Sequence, residues 1–129
     1  MDYPSLFVRC LREVIANPDF DPDRLPRYFT PDYRQRVNGR QLDYPAFEAH
    51  IRTLKRELVR CELHFDRLLC QGTTLVSSHR VQACKADGRR LEVQVMGIFT
   101  FEGSRLTTAD ELTCLLSGDE ADGDIGHRH

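Results

Sequence analysis

The stretch from Met96 to Leu116, MGIFTFEGSRLTTADELTCLL, contains two apolar segments joined at Glu102-Gly103-Ser104. Alternating apolar and polar residues on both sides of this turn predict a β-hairpin. The second strand carries two adjacent acids, Asp110 and Glu111, in its middle. Strand interiors disfavour aspartate, and a buried carboxylate is costly unless it is paired or takes part in chemistry. These two acids are therefore the first candidates for a functional site.

The hairpin closes a longer run of predicted strands. From Val59 the apolar residues recur at every second position, and the run breaks at Gly72-Thr73 and at Ala86-Asp87-Gly88. This pattern predicts four long strands in a meander. Strands of ten or more residues exceed the usual five or six, so we expect the sheet to curl.

Helical spacing dominates the sequence before Val59. Apolar residues recur at intervals of three and four between Phe7 and Ile15, and Asn17-Pro18 ends that helix. A short helical turn is expected over residues 25–29 and a short strand over 33–39. The longest helix begins after Asp43, a suitable N-cap. Its apolar face comprises Phe47, His50, Ile51, Leu54 and Leu58. The expected fold class is α+β, with a mainly antiparallel sheet whose concave face is covered by the preceding helices.

Composition limits the classes of function. The chain has 129 residues, a net charge of −2 and 40% hydrophobic residues, typical of one globular domain. Basic residues are interleaved with acids, so nucleic acid is not an expected partner. Neither a membrane segment nor a signal peptide is predicted, which favours a cytoplasmic protein. Five dispersed cysteines favour buried thiols rather than disulfides or zinc ligands. We expect a domain over 1–116 and a Gly/Asp-rich tail over 117–129.

The order of these elements resembles the nuclear transport factor 2-like superfamily, especially its SnoaL-like branch. The segment VMGIFTFEGSRLTTADEL is similar to the closing hairpin of that family, and PDYRQRVNGRQLDYPAFEAHIRTLK is similar to its first strand and following helix. The resemblance covers nearly the whole chain. It implies a cone: a strongly curved sheet wrapped around helices, with a pocket for a small apolar ligand. It also implies a homodimer that pairs through the outer face of the sheet.

Family activities include ketosteroid isomerisation, polyketide cyclisation and epoxide hydrolysis, so the fold does not choose among them. In the epoxide hydrolases an Asp-Arg-Asp set is catalytic. By this resemblance Arg80 matches the arginine, Gln82 matches the first aspartate and Glu111 matches the last acid. Because glutamine cannot shuttle a proton, epoxide hydrolysis by that mechanism is not expected.

In polyketide cyclases the same position of the last strand holds an acid that moves a proton near substrate carbonyl groups. This resemblance makes Asp110 or Glu111 the candidate base, with His79 or Arg80 stabilising the developing oxyanion. One alternative for the two acids is that one points to solvent and the other pairs with a neighbouring arginine across the sheet. Another is that they line the pocket without taking part in chemistry. For His79 the alternative is a buried histidine with a structural hydrogen bond.

The sequence leaves the inward-facing acid undecided. Simple alternation from Leu106 places Asp110 on the apolar face, together with His79 on the preceding strand. The family comparison instead selects Glu111, on the opposite face. One β-bulge converts either arrangement into the other.

The expected ligand contacts are aromatic, polar and flexible side chains near the cone: Tyr28, Phe29, Tyr33, His50, Gln82 and Met96. No metal site or cofactor is predicted. The sequence therefore predicts a protein that binds a small apolar molecule, with isomerase- or cyclase-type proton transfer as its chemistry if it is an enzyme. The alternative is a non-catalytic, dimeric protein-interaction module whose cone is filled by side chains.

Overall fold

The computed structural model describes residues 1–119 and 125, which form three α-helices and six strands. The helices are α1 (Tyr3–Leu11), continued by a π-helical turn (Arg12–Ala16); α2 (Leu25–Tyr28), preceded by a 3-10 turn (Pro22–Arg24); and α3 (Tyr44–Glu57). The strands are β1 (Phe29–Val37), β2 (Arg40–Leu42), β3 (Leu58–Gln71), β4 (Thr74–Lys85), β5 (Arg90–Glu102) and β6 (Arg105–Ser117).

The strands form one curved, open sheet in the order β2-β1-β6-β5-β4-β3. The predicted meander is present, since β3 to β6 pair as antiparallel neighbours. Strand β1 returns from the N-terminal region to pair parallel with β6. The predicted α+β class with a mainly antiparallel, curved sheet is therefore confirmed.

The helices begin where the sequence provides caps. Asp43 accepts a hydrogen bond from the Ala46 amide at 3.0 Å, and Asp2 caps α1 through the Ser5 amide at the same distance. Their apolar faces pack on the inner face of the sheet. The ring of Phe7 in α1 lies 4.5 Å from that of Phe99 in β5. These contacts place the hydrophobic core between the helices and the sheet.

Two short elements differ from the prediction. Strand β1 starts at Phe29, four residues earlier than the strand expected over 33–39, and it is followed by a second strand, β2. Asn38 and Gly39 have φ angles of 52° and 84°, which suits a tight hairpin turn that joins β1 to β2. Asparagine adopts this left-handed backbone more readily than other side chains do, so the Asn-Gly pair forms a hairpin rather than ending the sheet.

The predicted tail over 117–129 lies partly outside the described residues, which exclude 120–124 and 126–129. Ile125 is described and is buried against the core. Strand β6 extends to Ser117, one residue beyond the expected end of the domain.

Candidate functional site

A cavity of about 110 Å³ lies between the helices and the concave face of the sheet. Its walls come from the π-helical turn, α3, β1, the start of β3, and the inner faces of β5 and β6. Most of the lining is aliphatic or aromatic. Its polar or charged residues include Asn17, Tyr33, Gln35, His50, Lys55, Arg60, Glu111 and Thr113. An apolar cavity with a few converging polar groups is the usual form of a small-molecule site.

Glu111 is the acid in this lining. Its side chain is half-buried, and within residues 1–119 and 125 its carboxylate has no hydrogen-bond or ion-pair partner. Burial, together with the nearby charge of Asp110, raises the pKa of Glu111 from 4.5 to about 7. A carboxyl group with this pKa exists in both protonation states near neutral pH, so it can accept a proton and return it.

A β-bulge in β6 turns Glu111 inward. Thr100 of β5 pairs with Thr108, whereas the next residue, Phe101, pairs with Leu106, so β6 contains one extra residue at Thr107. Leu106 and Ala109 are consequently both buried although they are three positions apart. From Ala109 onward the alternation continues, and Glu111 faces the interior.

Asn38 fixes this part of β6 in place. Its backbone amide donates to the Glu111 carbonyl at 2.9 Å. Its side chain accepts from the Thr113 amide at 2.8 Å and donates to the Thr113 hydroxyl at 2.7 Å. The hairpin turn at Asn38 therefore holds the backbone on both sides of the Glu111 side chain.

Asp110 points to the opposite, solvent-exposed face of the sheet. Its two carboxylate oxygens accept from Arg36 Nε at 3.1 Å and from Arg36 Nη2 at 2.5 Å. These hydrogen bonds and the charge of the guanidinium lower the pKa of Asp110. Asp110 thus pairs with an arginine across the sheet, as the alternative interpretation gave for one of the acids, whereas the other acid, Glu111, lines the cavity instead of pointing to solvent.

Tyr33 and Gln35 form a second polar pair in the cavity wall. The Tyr33 hydroxyl donates to Gln35 Oε1 at 2.8 Å, and both side chains are buried. Burial and the charge of Glu111 raise the pKa of Tyr33 well above its ordinary value. Because Tyr33 is bonded to the amide oxygen, the Gln35 amide nitrogen has no partner among the described residues, and its N–H groups can serve a ligand.

The other predicted catalytic residues lie away from the cavity. His79 is buried beside Phe7 and Phe65, and its Nδ1 is hydrogen-bonded to the Ser77 hydroxyl at 2.7 Å. Burial lowers its pKa to about 4, so it is neutral at physiological pH. Arg80 is on the outer face, paired with Asp66 at 3.2 Å. Alternation in β4 puts Arg80 on the outer face, whereas His79 faces inward but packs against Phe7 and Phe65 instead of lining the cavity.

Three of the predicted ligand contacts do not line the cavity. Gln82 is on the outer face and donates to Glu92 at 2.9 Å. Met96 is also on that face, with 56% of its surface exposed. Tyr28 is buried, and its hydroxyl donates to Glu13, away from the cavity. The physical reasons are strand alternation for the first two and a competing carboxylate acceptor for the third.

The remaining three predicted contacts do line the cavity: Phe29, Tyr33 and His50. The ring of Phe29 packs 4.7 Å from the rings of Tyr33 and Phe47. His50 is buried on the inward face of α3. These positions were accessible from sequence because they follow the period of a helix or strand.

Sequence reasoning missed Gln35 and Lys55. Gln35 is two residues from Tyr33 on one strand, so strand alternation puts both side chains on the same face. Lys55 follows Ile51 by four residues, so it lies at the edge of the apolar helix face. A charged residue beside an apolar stripe ordinarily extends into solvent. Lys55 was therefore not predicted to line the cavity.

Neither a metal-binding cluster nor a membrane-spanning helix is present among the described residues. No group of three or more His, Cys, Asp or Glu side chains in this part of the chain is arranged to bind a metal ion. Likewise, none of the helices described is long and apolar enough to cross a membrane.

Comparisons with known proteins agree with this architecture. A structure of a proposed isomerase from Rhodopseudomonas palustris aligns with a TM-score of 0.74 at 15% identity, over 98% of both chains. A proposed polyketide cyclase from Acidithiobacillus ferrooxidans aligns with a TM-score of 0.68 at 18% identity, over 96% of this chain and 92% of the other. At these identities the similarity concerns the fold.

Sequence comparison is more specific. An uncharacterised protein of Schizosaccharomyces pombe is 32% identical over 120 residues, which cover 93% of this chain and 92% of that one. The sequence model of the SnoaL-like domain matches residues 8–109, most of the chain. The chain therefore belongs to the SnoaL-like domain family, within the nuclear transport factor 2-like superfamily.

Proposed function

We propose that this protein binds a small, mostly apolar molecule in the cavity and that Glu111 transfers a proton at a carbon atom next to a carbonyl group of that molecule. The observation that carries the proposal is the Glu111 carboxylate, which lines an apolar cavity without a partner in the described structure and has a pKa of about 7. Perturbed carboxylates in clefts are candidates for acid-base catalysis.

The residues of the cavity suggest how the step proceeds. The Glu111 carboxylate removes a proton from the carbon next to the carbonyl, and the electron pair of that C–H bond moves to the carbonyl oxygen. A Gln35 N–H donates a hydrogen bond to this developing oxyanion. The Glu111 carboxylic acid then returns the proton to another carbon, which isomerises the molecule. In a cyclisation the enolate carbon instead attacks a second carbonyl within the same ligand, the electron pair of that C=O π bond moves to its oxygen, and the Glu111 carboxylic acid gives its proton to that oxygen.

Register brings the two groups to neighbouring positions. Gln35 pairs with Ala109 and Val37 pairs with Glu111 along the β1–β6 ladder. Gln35 and Glu111 are thus diagonal neighbours on adjacent strands, both on the inner face, and such side chains are within reach of one ligand. His79 and Arg80 have no part in this proposal because neither lines the cavity.

Epoxide hydrolysis is not part of the proposal. The fold is similar to that of an LEH-like epoxide hydrolase from M. tuberculosis, with a TM-score of 0.67 at 16% identity over 93% of this chain and 85% of that one. However, Arg80 and Gln82 lie on the outer face and Glu111 on the inner one. These three side chains cannot act on one substrate.

The same proposal includes a homodimer that pairs through the outer face of the sheet. Large apolar side chains are exposed there on three adjacent strands: Val76, Met96, Ile98 and Leu112. Val76 pairs with Ile98, and Met96 pairs with Leu112, so the four form one patch. A contiguous apolar patch of this kind is typical of an interface. This patch also supports the alternative function, a dimeric interaction module, which has no need of the cavity.

The cytoplasmic location expected from the sequence stays a prediction. All five cysteines are free in this structure, which is compatible with a reducing compartment.

The decisive experiment follows proton exchange on a simple apolar ketone. Purified protein is incubated with 2-tetralone in D₂O, and exchange of the protons next to the carbonyl is measured by NMR. We expect the wild-type protein to accelerate exchange, Glu111→Gln to lose this acceleration by about a hundredfold, and Asp110→Asn to keep it. Equal rates for wild type and Glu111→Gln would overturn the proposed chemistry. Binding of 2-tetralone without any exchange would leave a non-catalytic binding protein.

A further inference from the structure

Lys55 is an ammonium group in the wall of an apolar cavity. It lies on α3, half-buried, one turn after Ile51. Within residues 1–119 and 125, no carboxylate is within ion-pairing distance of its Nζ atom. The charges of Arg24 and Asp19 act on it from farther away, with opposite signs. A cation withdrawn from water without a counter-ion is unusual, because burial of an unpaired charge is costly.

Backbone carbonyls of the described residues accept hydrogen bonds from only two of the three N–H groups of this ammonium. Nζ donates to the carbonyl of Ile15 at 2.6 Å and to that of Asn17. Both carbonyls lie at the end of the π-helical turn, where they carry a partial negative charge and lack helical partners. An ammonium has three N–H donors, so one donor and much of the positive charge remain available. Burial lowers the pKa of Lys55 to about 8, as expected for a cation without a full counter-charge.

We propose that the ligand of this cavity carries a carboxylate that binds the Lys55 ammonium. The inference rests on the proposed function, since it names the class of molecule that the same cavity accepts. Carboxylate oxygens supply the hydrogen-bond acceptor and the negative charge that residues 1–119 and 125 do not provide. The remaining lining is mostly apolar, so the rest of the ligand is a hydrocarbon body.

The register of the sheet indicates that the ammonium and the proposed base lie towards different ends of the cavity. Lys55 and Cys61 both line the cavity and their charges interact, so Lys55 lies near Cys61. Cys61 pairs with Ala83 of β4, which pairs with Leu91 of β5. Glu111 pairs with Gly97 of β5. Six residues separate these two rows, roughly 20 Å along an extended strand and less along a curved one. A carboxylate held by Lys55 is therefore kept away from Glu111, and like-charge repulsion between them is small.

This separation defines the ligand class more narrowly. The carboxylate lies at the Lys55 end, and the carbonyl group whose neighbouring carbon loses a proton lies at the Glu111 end. We therefore infer an apolar oxo acid, in which several carbon atoms separate the acid from the reactive carbonyl.

The experiment compares two ligands of the same shape and different charge, 2-naphthoate and 2-naphthamide. Affinities are measured by isothermal titration calorimetry at pH 7 for the wild type, Lys55→Met, Lys55→Arg and Arg56→Gln. Arg56 is the matched control, because it is the next residue of α3 and does not line the cavity. We expect wild type, Lys55→Arg and Arg56→Gln to bind the carboxylate about tenfold more tightly than the amide, as a hydrogen bond to a charged group predicts. Lys55→Met should bind both ligands equally.

Each contrary outcome has a distinct meaning. Equal affinity of the wild type for both ligands would overturn the role of Lys55 and leave the cavity as a ligand site. Loss of the preference in Arg56→Gln would assign it to the general charge of α3 and would overturn the inference as well. Absence of binding by either ligand would count against the proposed function itself. Should Lys55→Met prove unfolded by circular dichroism, Lys55→Gln takes its place, because it keeps a polar side chain without the charge, and it too should bind both ligands equally.

Discussion

The carboxylates of Asp110 and Glu111, adjacent in the chain, lie on opposite faces of β6. Asp110 forms two hydrogen bonds with Arg36 on the exposed face, whereas Glu111 lines the cavity without a partner among the described residues. Their pKa values consequently shift in opposite directions, downward for Asp110 and upward to about 7 for Glu111. One dipeptide thus provides both the candidate functional acid and a control that differs from it chiefly in orientation.

The first prediction concerns the stability of Glu111→Gln. Above pH 7 the folded protein must ionise a half-buried carboxyl group that titrates near pH 4.5 in the unfolded chain, so its raised pKa destabilises the fold by about 3 kcal/mol. We expect Glu111→Gln to raise the free energy of unfolding at pH 8 by up to this amount and to have little effect at pH 4. Urea denaturation at both pH values measures the difference.

Asp110→Asn is the matched control for that measurement. Its pKa is lowered by Arg36, so removal of its charge should lower stability slightly at pH 8 rather than raise it. An increase in stability in both variants would show that relief of repulsion between the two acids, rather than burial of Glu111, is the cause.

His79 gives a second prediction, with the opposite dependence on pH. It is buried and neutral in the folded protein, with a pKa of about 4, whereas in the unfolded chain it titrates near pH 6.5. Its contribution to stability is therefore lost as the pH falls from 6.5 to 4, by up to about 3 kcal/mol. The stability of His79→Gln, measured across this range, should lack that loss.

The two groups together predict the pH profile of the wild type. Between pH 4.5 and 6.5 the unfolded chain has an ionised Glu111 and a protonated His79. The folded protein has a protonated Glu111 and a neutral His79, so both states hold one proton at these two groups. The two slopes cancel, so wild-type stability should be nearly flat in this window. Glu111→Gln should become less stable toward acid there, and His79→Gln should become more stable. Parallel slopes in the two variants would contradict the assignment of these pKa shifts.

Gly97 provides a prediction about packing beside the site. It pairs with Glu111, and a Cβ atom there would lie 2.9 Å from the Phe99 ring and 3.1 Å from the Asp110 carbonyl. Gly97→Ala should lower the free energy of unfolding by about 1–3 kcal/mol, because the buried Phe99 ring must move. The double variant Gly97→Ala/Phe99→Leu tests this cause. Its loss should be smaller than the sum of the two single losses, and full additivity would contradict the proposed clash.

The outer apolar patch predicts the oligomeric state. Leu112 is 68% exposed and lies beside Met96 in the register of the sheet. We expect a dimer for the wild type in sedimentation equilibrium and a monomer for Leu112→Glu, because burial of a carboxylate in the interface is unfavourable. Glu48→Gln, an exchange on α3 remote from the patch, should remain dimeric. A monomeric wild type would contradict the prediction that the protein dimerises through the outer face of the sheet.

Much of the fold was accessible from the sequence. The helical spacing after Asp43 predicted α3, and the alternation after Val59 predicted β3 to β6, because each pattern reflects one buried face of one element. The return of β1 to pair parallel with β6 was not accessible. It is a contact between distant segments, and no local pattern encodes it.

The candidate site shows the same division. The sequence by itself identified Asp110 and Glu111, since carboxylates inside an apolar strand are unfavourable without a reason. The tertiary structure alone decided which one faces the cavity, because an extra residue at Thr107 reverses the side chains that follow it in β6, including those of the two acids. It also brought Gln35, Lys55 and Glu111 to one cavity from three elements. Side-chain chemistry is a local property of sequence, whereas orientation and proximity depend on the register and packing of the whole chain.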